Sequence, residues 1–519
     1  MTRDASVVDE RRSPAGDSPR GLDVAAFGAV GLSVATTVLI GLLGPSAMVP
    51  RLPGSSWHPP YSLDAHPGTH LVIAMGAVAI VLGGLGLAAA LRSRWRPDPR
   101  WLLAVGCAVA GLLAFLPPSG SADHLNYAAY GRLVTLGQDP YAITPAALPG
   151  DPVTGAVEEW AGVTSVYGPV ATAVQALASF VGGDSVRLTV FAMAVVNAAA
   201  FIGTALLLHR FARGNADLQR RAALLWTVNP LMIYHLAAGM HVDTLAVACM
   251  VAALTVRGAA SGLLLGVGIG VKLNAGLVAL GPAWELRRSP GRLAVVAGTA
   301  TATVVAIYAV AGPHVLDQVS AASKKVSLAT PWQLVKVGLQ SVFGPGAYSA
   351  WIQIGSLLLM ACLAWLLLRA LGALGAPMAP RTSVAPGGPG TPGAPGAPGT
   401  PGALPADTAP AVAAVMVVAW LFAAPYALPW YDGLAFALLA LASWPALEAF
   451  MVARVVVLSL GYLPAREVPR PDDLLWTKTL LRETVVPWTL LALTVALAWW
   501  AARAGRRARR RPASAAPRP

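Results

Sequence analysis

Apolar stretches of roughly 17–25 residues recur along the whole chain, separated by short polar links, and that is the length a helix needs to cross a bilayer. They fall near residues 22–43, 70–92, 101–117, 186–209, 222–239, 243–257, 293–312, 349–370, 409–427, 433–447, 448–462 and 485–502. Arginine supplies the direction. Clusters at Arg92–Arg100, Arg210–Arg221, Arg287–Arg292 and Arg506–Arg511 each flank an apolar run, and such basic links face the cytoplasm. With the N-terminus inside, the loop opening at Ser119 lies outside. From there to Ser185 the acids Asp123, Asp139, Asp151, Glu158, Glu159 and Asp184 stand against Arg132 alone. The apolar piece 167–182 breaks this alternation if it spans, because Arg210–Arg221 would then emerge outside. It therefore reads as a juxtamembrane or re-entrant helix.

The segment 261–284 needs the same test. As one helix of about 36 Å it would cross, bury Lys272 at a cost of roughly 2.5–3.5 kcal/mol, and leave Arg287 and Arg288 outside. Broken at Val271-Lys272-Leu273-Asn274, it becomes two half-helices, with Lys272 outside and the arginines inside. Half-helices are tolerated where they pack within protein or beside a cavity. The second would also aim its N-terminus at whatever sits by Lys272, an arrangement suited to phosphate. A lysine snorkelling from a continuous helix is the other reading.

With the split pair, the pattern predicts an all-α polytopic membrane bundle of about 13–14 transmembrane segments with a juxtamembrane helix in its outer loop. Residues 1–20 are expected to be a disordered cytoplasmic tail with no signal peptide, followed by a transmembrane module over 21–375 whose outer loop is 118–185. The Pro/Gly/Ala-rich 376–408 contains a short Gly-X-Y register, which reads as a cytoplasmic linker and not as collagen. Residues 409–503 carry the last spans, and 504–519 form a basic cytoplasmic tail.

Composition supports this class. Of 519 residues, 56% are hydrophobic and only 12% charged, with mean hydropathy +0.62, where a soluble domain has about 25% charged residues. The net charge of +13 suggests a nucleic-acid partner only until its placement beside apolar runs is considered, so none is expected. Cys107, Cys249 and Cys362 sit in apolar runs without paired spacing, as core residues and not as disulfides or metal ligands.

The most informative polar stretch runs from Asp123 to Tyr141. Asp123, Tyr127 and Tyr130 stand at i, i+4 and i+7 and share one helix face, presenting an acid at the membrane mouth. The same stretch holds Arg132, Asp139 and Tyr141. Other polar groups predicted at that level are Tyr167-Gly168-Pro169, His241-Val242-Asp243, Lys272, Lys324, Lys325 and Trp430-Tyr431-Asp432. Each also has a plainer reading: a polar loop, a His–Asp pair at a helix start, solvated lysines, or interfacial aromatics. Their coincidence on one face argues for a site that takes a substrate with a polar head and a lipid tail.

Asp123…Tyr127…Tyr130-Gly-Arg132…Gly137…Asp139-Pro-Tyr141, Val166-Tyr-Gly-Pro169, Gly239-Met-His241-Val-Asp243, Val271-Lys272 and Pro429-Trp-Tyr431 resemble the actinobacterial polyprenol-phosphomannose-dependent α-1,6-mannosyltransferases, integral membrane glycosyltransferases of the GT-C class. The resemblance runs over about 70–500 apart from the linker. It implies a GT-C fold, a polyprenyl-phosphate-sugar donor, a glycan or glycolipid acceptor and an outward-facing site in the cell membrane. It also implies that Asp123 is the catalytic base and that Lys272 lies near the donor phosphate. Tyr127, Tyr130, Arg132, Asp139, Tyr141, Tyr167, His241, Asp243, Trp430 and Tyr431 are then candidate substrate-binding residues. The chain departs from the family pattern at His241-Val-Asp243, where an Asn or Gln is expected. No nucleotide loop and no metal triad is evident, so no cofactor is expected, although acids near Asp123 leave a divalent ion open. A transporter or flippase of a lipid-linked sugar also fits broken helices with intramembrane charge, but no internal repeat relates the two halves.

Overall fold

The computed structural model describes residues 21–374, 408–466 and 469–509. The expected tail 1–20, the linker up to residue 407 and the last ten residues of the basic tail lie outside them. Among the described residues the regular structure is all helical, with no strand. In chain order the helices are α1 (Gly21–Leu43), α2 (Thr69–Ala90), α3 (Pro99–Leu113), α4 (Asp123–Thr135), α5 (Pro169–Gly182), α6 (Val186–Phe211), α7 (Ala216–Ala222), α8 (Pro230–Met232), α9 (Asp243–Thr255), α10 (Ala259–Val271) and α11 (Leu280–Glu285). They are followed by α12 (Pro290–Ala311), α13 (Asp317–Ser323), α14 (Pro331–Phe343), α15 (Ser349–Leu374), α16 (Ala409–Ala423), α17 (Asp432–Ala442), α18 (Pro445–Tyr462) and α19 (Val486–Arg509).

Seven helical stretches are long and apolar enough to cross a membrane: α1, α2, α6, α12, α15, α18 and the stretch ending in α19. This is a multi-pass membrane protein. Shorter helical pieces lie between them. One is α7 and α8 with the wider π turns that extend them (Ala223–Thr227 and Ile233–Ala238). It is interrupted because Pro230 lacks an N–H, and Asn229 caps the restart by accepting from Leu231 N at 3.0 Å.

Contacts fix the relative direction of two helix pairs. The Ser33 hydroxyl donates to Ala79 O at 2.6 Å and Gly86 lies against Ala26 and Val30, so α1 and α2 are antiparallel. Along α10 and α12, Gly262 meets Val296, Gly266 meets Thr303 and Gly270 meets Ile307, so these two run parallel. The chain between them must return. It does so by extended backbone at Lys272 (φ −153°, ψ 120°), a 3₁₀ stretch Leu273–Ala279 and α11. The break at Lys272 is real, and Arg287 lies at the opposite end of the bundle from Lys272.

One end of the bundle thus gathers arginines: Arg96 and Arg220 against Asp217, and Arg221 against Glu448. The other end holds the loops before α2 and between α3 and α6. Helix α5 stays at that second end. Its start is held where Gly168 N donates to Val271 O at 3.0 Å, an approach in which a Cβ would lie 2.2 Å from Gly270 O, and its last turn packs on Thr189 near the start of α6. Helix α14 is an addition that apolar runs do not reveal. Its Trp332 indole donates to Ala423 O at 2.7 Å while Val342 and Phe343 remain exposed, the amphipathic habit of an interfacial helix. Boundaries also shift: the expected 433–447 and 448–462 divide at a turn at Ser443-Trp444, and α19 continues to Arg509.

Candidate active site

Asp123 is the first residue of α4, where the helix dipole favours a carboxylate. Its backbone N–H donates to Ser121 Oγ at 3.1 Å, and its side chain, 22% exposed, faces His241 Nδ1 at 3.5 Å. His241 is wholly buried and lies flat on Trp430, with ring centroids 3.6 Å apart and 14° between planes. The turn that delivers it is tight: Met240 has φ +53°, and a Cβ on Gly239 would sit 2.3 Å from His235 O. The Tyr127 hydroxyl meets the same His241 Nδ1 at 3.5 Å, and Tyr167 packs edge-on against Tyr127 with centroids 4.9 Å apart.

Asp243 opens α9 and holds Lys272 through both oxygens, at 2.7 Å each. The Lys272 ammonium lies over the Tyr431 ring, 4.1 Å from its centroid. His241 and Asp243 therefore do not pair with each other; one serves Asp123 and the other Lys272. Burial pushes the Asp123 carboxyl up, but the His241 contact and the charges of His241 and Lys272 outweigh it and hold the group below its usual value. Neighbouring His124, fully buried, is held down to about 3 by burial and then by Arg466, so it stays neutral.

A cavity of about 380 Å³ opens at this end of the bundle. Of the residues singled out from sequence, Asp123, Tyr130, Tyr167, Lys272, Trp430 and Tyr431 line it, while Tyr127, His241 and Asp243 support those walls from behind. Arg132, Asp139 and Tyr141 stand apart from the lining. Arg132 is bound by Asp151 at 2.8 Å and Asp184 at 2.5 Å; the Asp139 carboxylate accepts from Tyr141 N at 2.9 Å; and the Tyr141 hydroxyl meets Thr172 Oγ1 at 2.8 Å. These three brace the loop between α4 and α5.

The cavity also includes residues that sequence reasoning passed over: Asn126, Trp160, Trp420, Tyr426 and Tyr462. Asn126 was within reach, one turn beyond Asp123 on the same face, and its buried Oδ1 has no partner among the described residues. Tyr462 ends an ordinary apolar run and carries no local signal. Lys325 lines the cavity, its ammonium 5.1 Å from the Trp160 ring centroid, and Lys324 does not. Among the described residues no acid pairs with Lys325. Among the same residues no cluster of three or more His, Cys, Asp or Glu forms a metal site.

A family profile described as alpha-(1->6)-mannopyranosyltransferase, N-terminal domain, matches residues 27–288. Alpha-(1->6)-mannopyranosyltransferase A of Mycobacterium tuberculosis is 32% identical over 209 residues, covering 37% of this chain and 40% of the relative. The A enzyme of Corynebacterium glutamicum is 28% identical over 169 residues (32% and 34%), and the B enzyme of that organism is 28% identical over 189 residues (36% and 30%). The matches thus span less than half the length of these curated relatives. No solved structure matches the chain. With half of its length under one family profile, the chain belongs to the alpha-(1->6)-mannopyranosyltransferase family.

Proposed function

We propose that this protein is an inverting mannosyltransferase that moves a mannosyl residue from polyprenyl-phosphate-mannose to a lipid-anchored, mannan-type acceptor in α-1,6 linkage, at the outer face of the cell membrane. The observation that carries the reading is one cavity holding an ionised carboxylate, two lysines and an aromatic wall at the end of the bundle opposite the arginines.

Asp123 accepts the proton of the acceptor hydroxyl as its oxygen forms a bond to the anomeric carbon. The bond from that carbon to the phosphate oxygen breaks on the far side, and polyprenyl phosphate leaves with the electron pair. A carboxylate held below its usual value is a weak base, which places its contribution toward the lower part of the general-base range of about 10²–10⁴-fold. Alignment and charge stabilisation of the leaving phosphate supply the rest. Lys272 is already neutralised by Asp243 and offers N–H donors to the phosphate without net charge. Lys325 supplies the net positive charge that builds the attraction. The aromatic faces of Trp430, Tyr431 and Trp420 suit the apolar face of a pyranose and the first isoprene units.

The test is purified protein with polyprenyl-phosphomannose and an oligomannoside, followed as formation of the extended glycan with release of polyprenyl phosphate. Movement of the lipid-linked sugar across the bilayer without bond cleavage would overturn the reading in favour of a transporter. Orientation is tested by single cysteines in a background lacking Cys107, Cys249 and Cys362. A cysteine at Asn274 should react with an impermeant thiol reagent outside intact cells, and one at Ser289 should not.

A further inference from the structure

At the arginine end, the last turn of α2, the link to α3, helix α7 and the turn between α17 and α18 enclose a second cavity of about 260 Å³. Its charged walls are Arg96, Arg220, Arg221 and Asp217. Asp217 is shared, lying 3.4 Å from Arg96 Nε and 2.6 Å from an Arg220 terminal nitrogen. Arg220 is largely buried and also donates through Nε to Pro97 O at 3.2 Å. Arg221 is paired with Glu448, yet its Nε is buried with no partner among the described residues. Three guanidinium groups against two carboxylates leave a surplus positive charge around an open space, and Arg92 lies close enough to act on Glu448 as well.

Arginines that merely mark the cytoplasmic side of a membrane protein have every reason to spread into solvent and headgroups, since like charges repel. Here Arg220 and Arg221 from α7 and Arg96 from the link before α3 converge on a void, with Arg220 buried and fixed in position. Such a fork of planar donors matches the oxygens of a phosphate. Leu91, Leu218 and Leu224 complete the walls, and basic pockets between membrane helices hold anionic headgroups. We propose that this cavity is a phosphate-binding site, filled either by the phosphodiester of an anionic phospholipid in the adjoining leaflet or by free phosphate. It is separate from the Asp123 cavity and does not rest on the mannosyltransferase reading.

The experiment measures melting temperature and lipid retention by native mass spectrometry for the full chain. The arms are phosphatidylcholine nanodiscs, the same with added phosphatidylglycerol, and detergent with or without inorganic phosphate. A bound ligand at concentrations well above its Kd raises the melting temperature by a few degrees. We expect phosphatidylglycerol to give that shift and to be retained, and Arg96→Gln to lose both. Arg96 is the suitable probe because it is 58% exposed and Asp217 keeps Arg220 when it is removed. The paired change Arg221→Gln with Glu448→Gln, which leaves no orphaned buried charge, should have the same effect. Arg287→Gln, at the same end but away from the cavity, should change nothing. A phosphate-dependent shift lost in Arg96→Gln, with no lipid effect, identifies free phosphate as the source. The proposal is overturned if neither probe stabilises the wild-type chain, or if Arg96→Gln and Arg287→Gln respond alike.

Discussion

The two halves of the chain build one cavity from different materials. Residues up to 288 contribute Asp123, His241, Asp243 and Lys272, each set by the start or break of a helix. The later half contributes Trp420, Tyr426, Trp430, Tyr431 and Tyr462, with Lys325 as its cation. The family profile ends at residue 288, on this same divide. On the proposed mechanism the first half holds the base and the Asp243–Lys272 pair, and the later half adds an aromatic wall and the second lysine, Lys325. At the cavity the halves are joined by His241 stacked on Trp430, by Lys272 over the Tyr431 ring and by Lys325 over the Trp160 ring.

The largest expected effect comes from the first half. Asp123→Asn preserves shape and removes the proposed base, so mannosyl transfer should fall by at least about 10²-fold with expression and melting temperature held. Near-normal turnover would break the division outright, because the base would lie elsewhere.

Next comes the Asp243–Lys272 pair, both ends of which are largely buried. Lys272→Met leaves a carboxylate uncompensated, and breaking such a pair costs about 3–5 kcal/mol, readable as a lower melting temperature. Adding Asp243→Asn should restore stability and leave transfer impaired. A single Lys272→Met that melts higher than wild type would show that the pair is not what holds the Lys272 break in place.

A second-half change should act more gently and on a different parameter. Trp430→Leu removes a ring contact of about 0.5–1.5 kcal/mol, so kcat/KM should drop by roughly 2–12-fold, chiefly through KM. A collapse of kcat to the level of Asp123→Asn would blur the two halves into one catalytic unit.

The smallest effect is an expected flat response. Because its partners hold Asp123 below the usual carboxylate value, the charged form is favoured in the folded protein. Its contribution to stability and its readiness as a base are present above the unfolded value of about 3.9 and are lost as pH falls through the lower folded value. Transfer rates measured downward from neutral pH should therefore show no acid limb from this group before that range. A limb with a midpoint well above 3.9 would assign the base to another residue.

Much of the architecture could be read from residues alone. Runs of apolar side chains mark passages wherever they are long, as in α1, α2 and α6, and the arginine clusters order their directions. They even foretold the break at Lys272, since a continuous helix would carry Arg287 to the wrong end. Helix α14 was hidden because its 13 residues interleave Gln333, Lys336 and Gln340 with apolar side chains and never form a spanning run. Asp123 stood out as an acid at a membrane mouth, and Tyr130, Tyr167, Lys272, Trp430 and Tyr431 followed it into the cavity. Arg132 looked equally chemical in sequence, yet Asp151 and Asp184, 19 and 52 residues further on, engage it.

What the amino-acid order determines by itself is local and additive: hydropathy summed over a helix length, charge at the links, and residues at a helix start or a forced break. Which polar groups meet is another matter. Tyr127 and His241 are 114 residues apart, and Asp243 and Lys272 are 29 apart. Among the described residues Lys272 is paired with an acid and Lys325 is not, although both are lysines at one end of the bundle. Those pairings depend on how helices pack within a few ångströms of each other, and electrostatic energy changes steeply over that distance, so only the tertiary structure decides them.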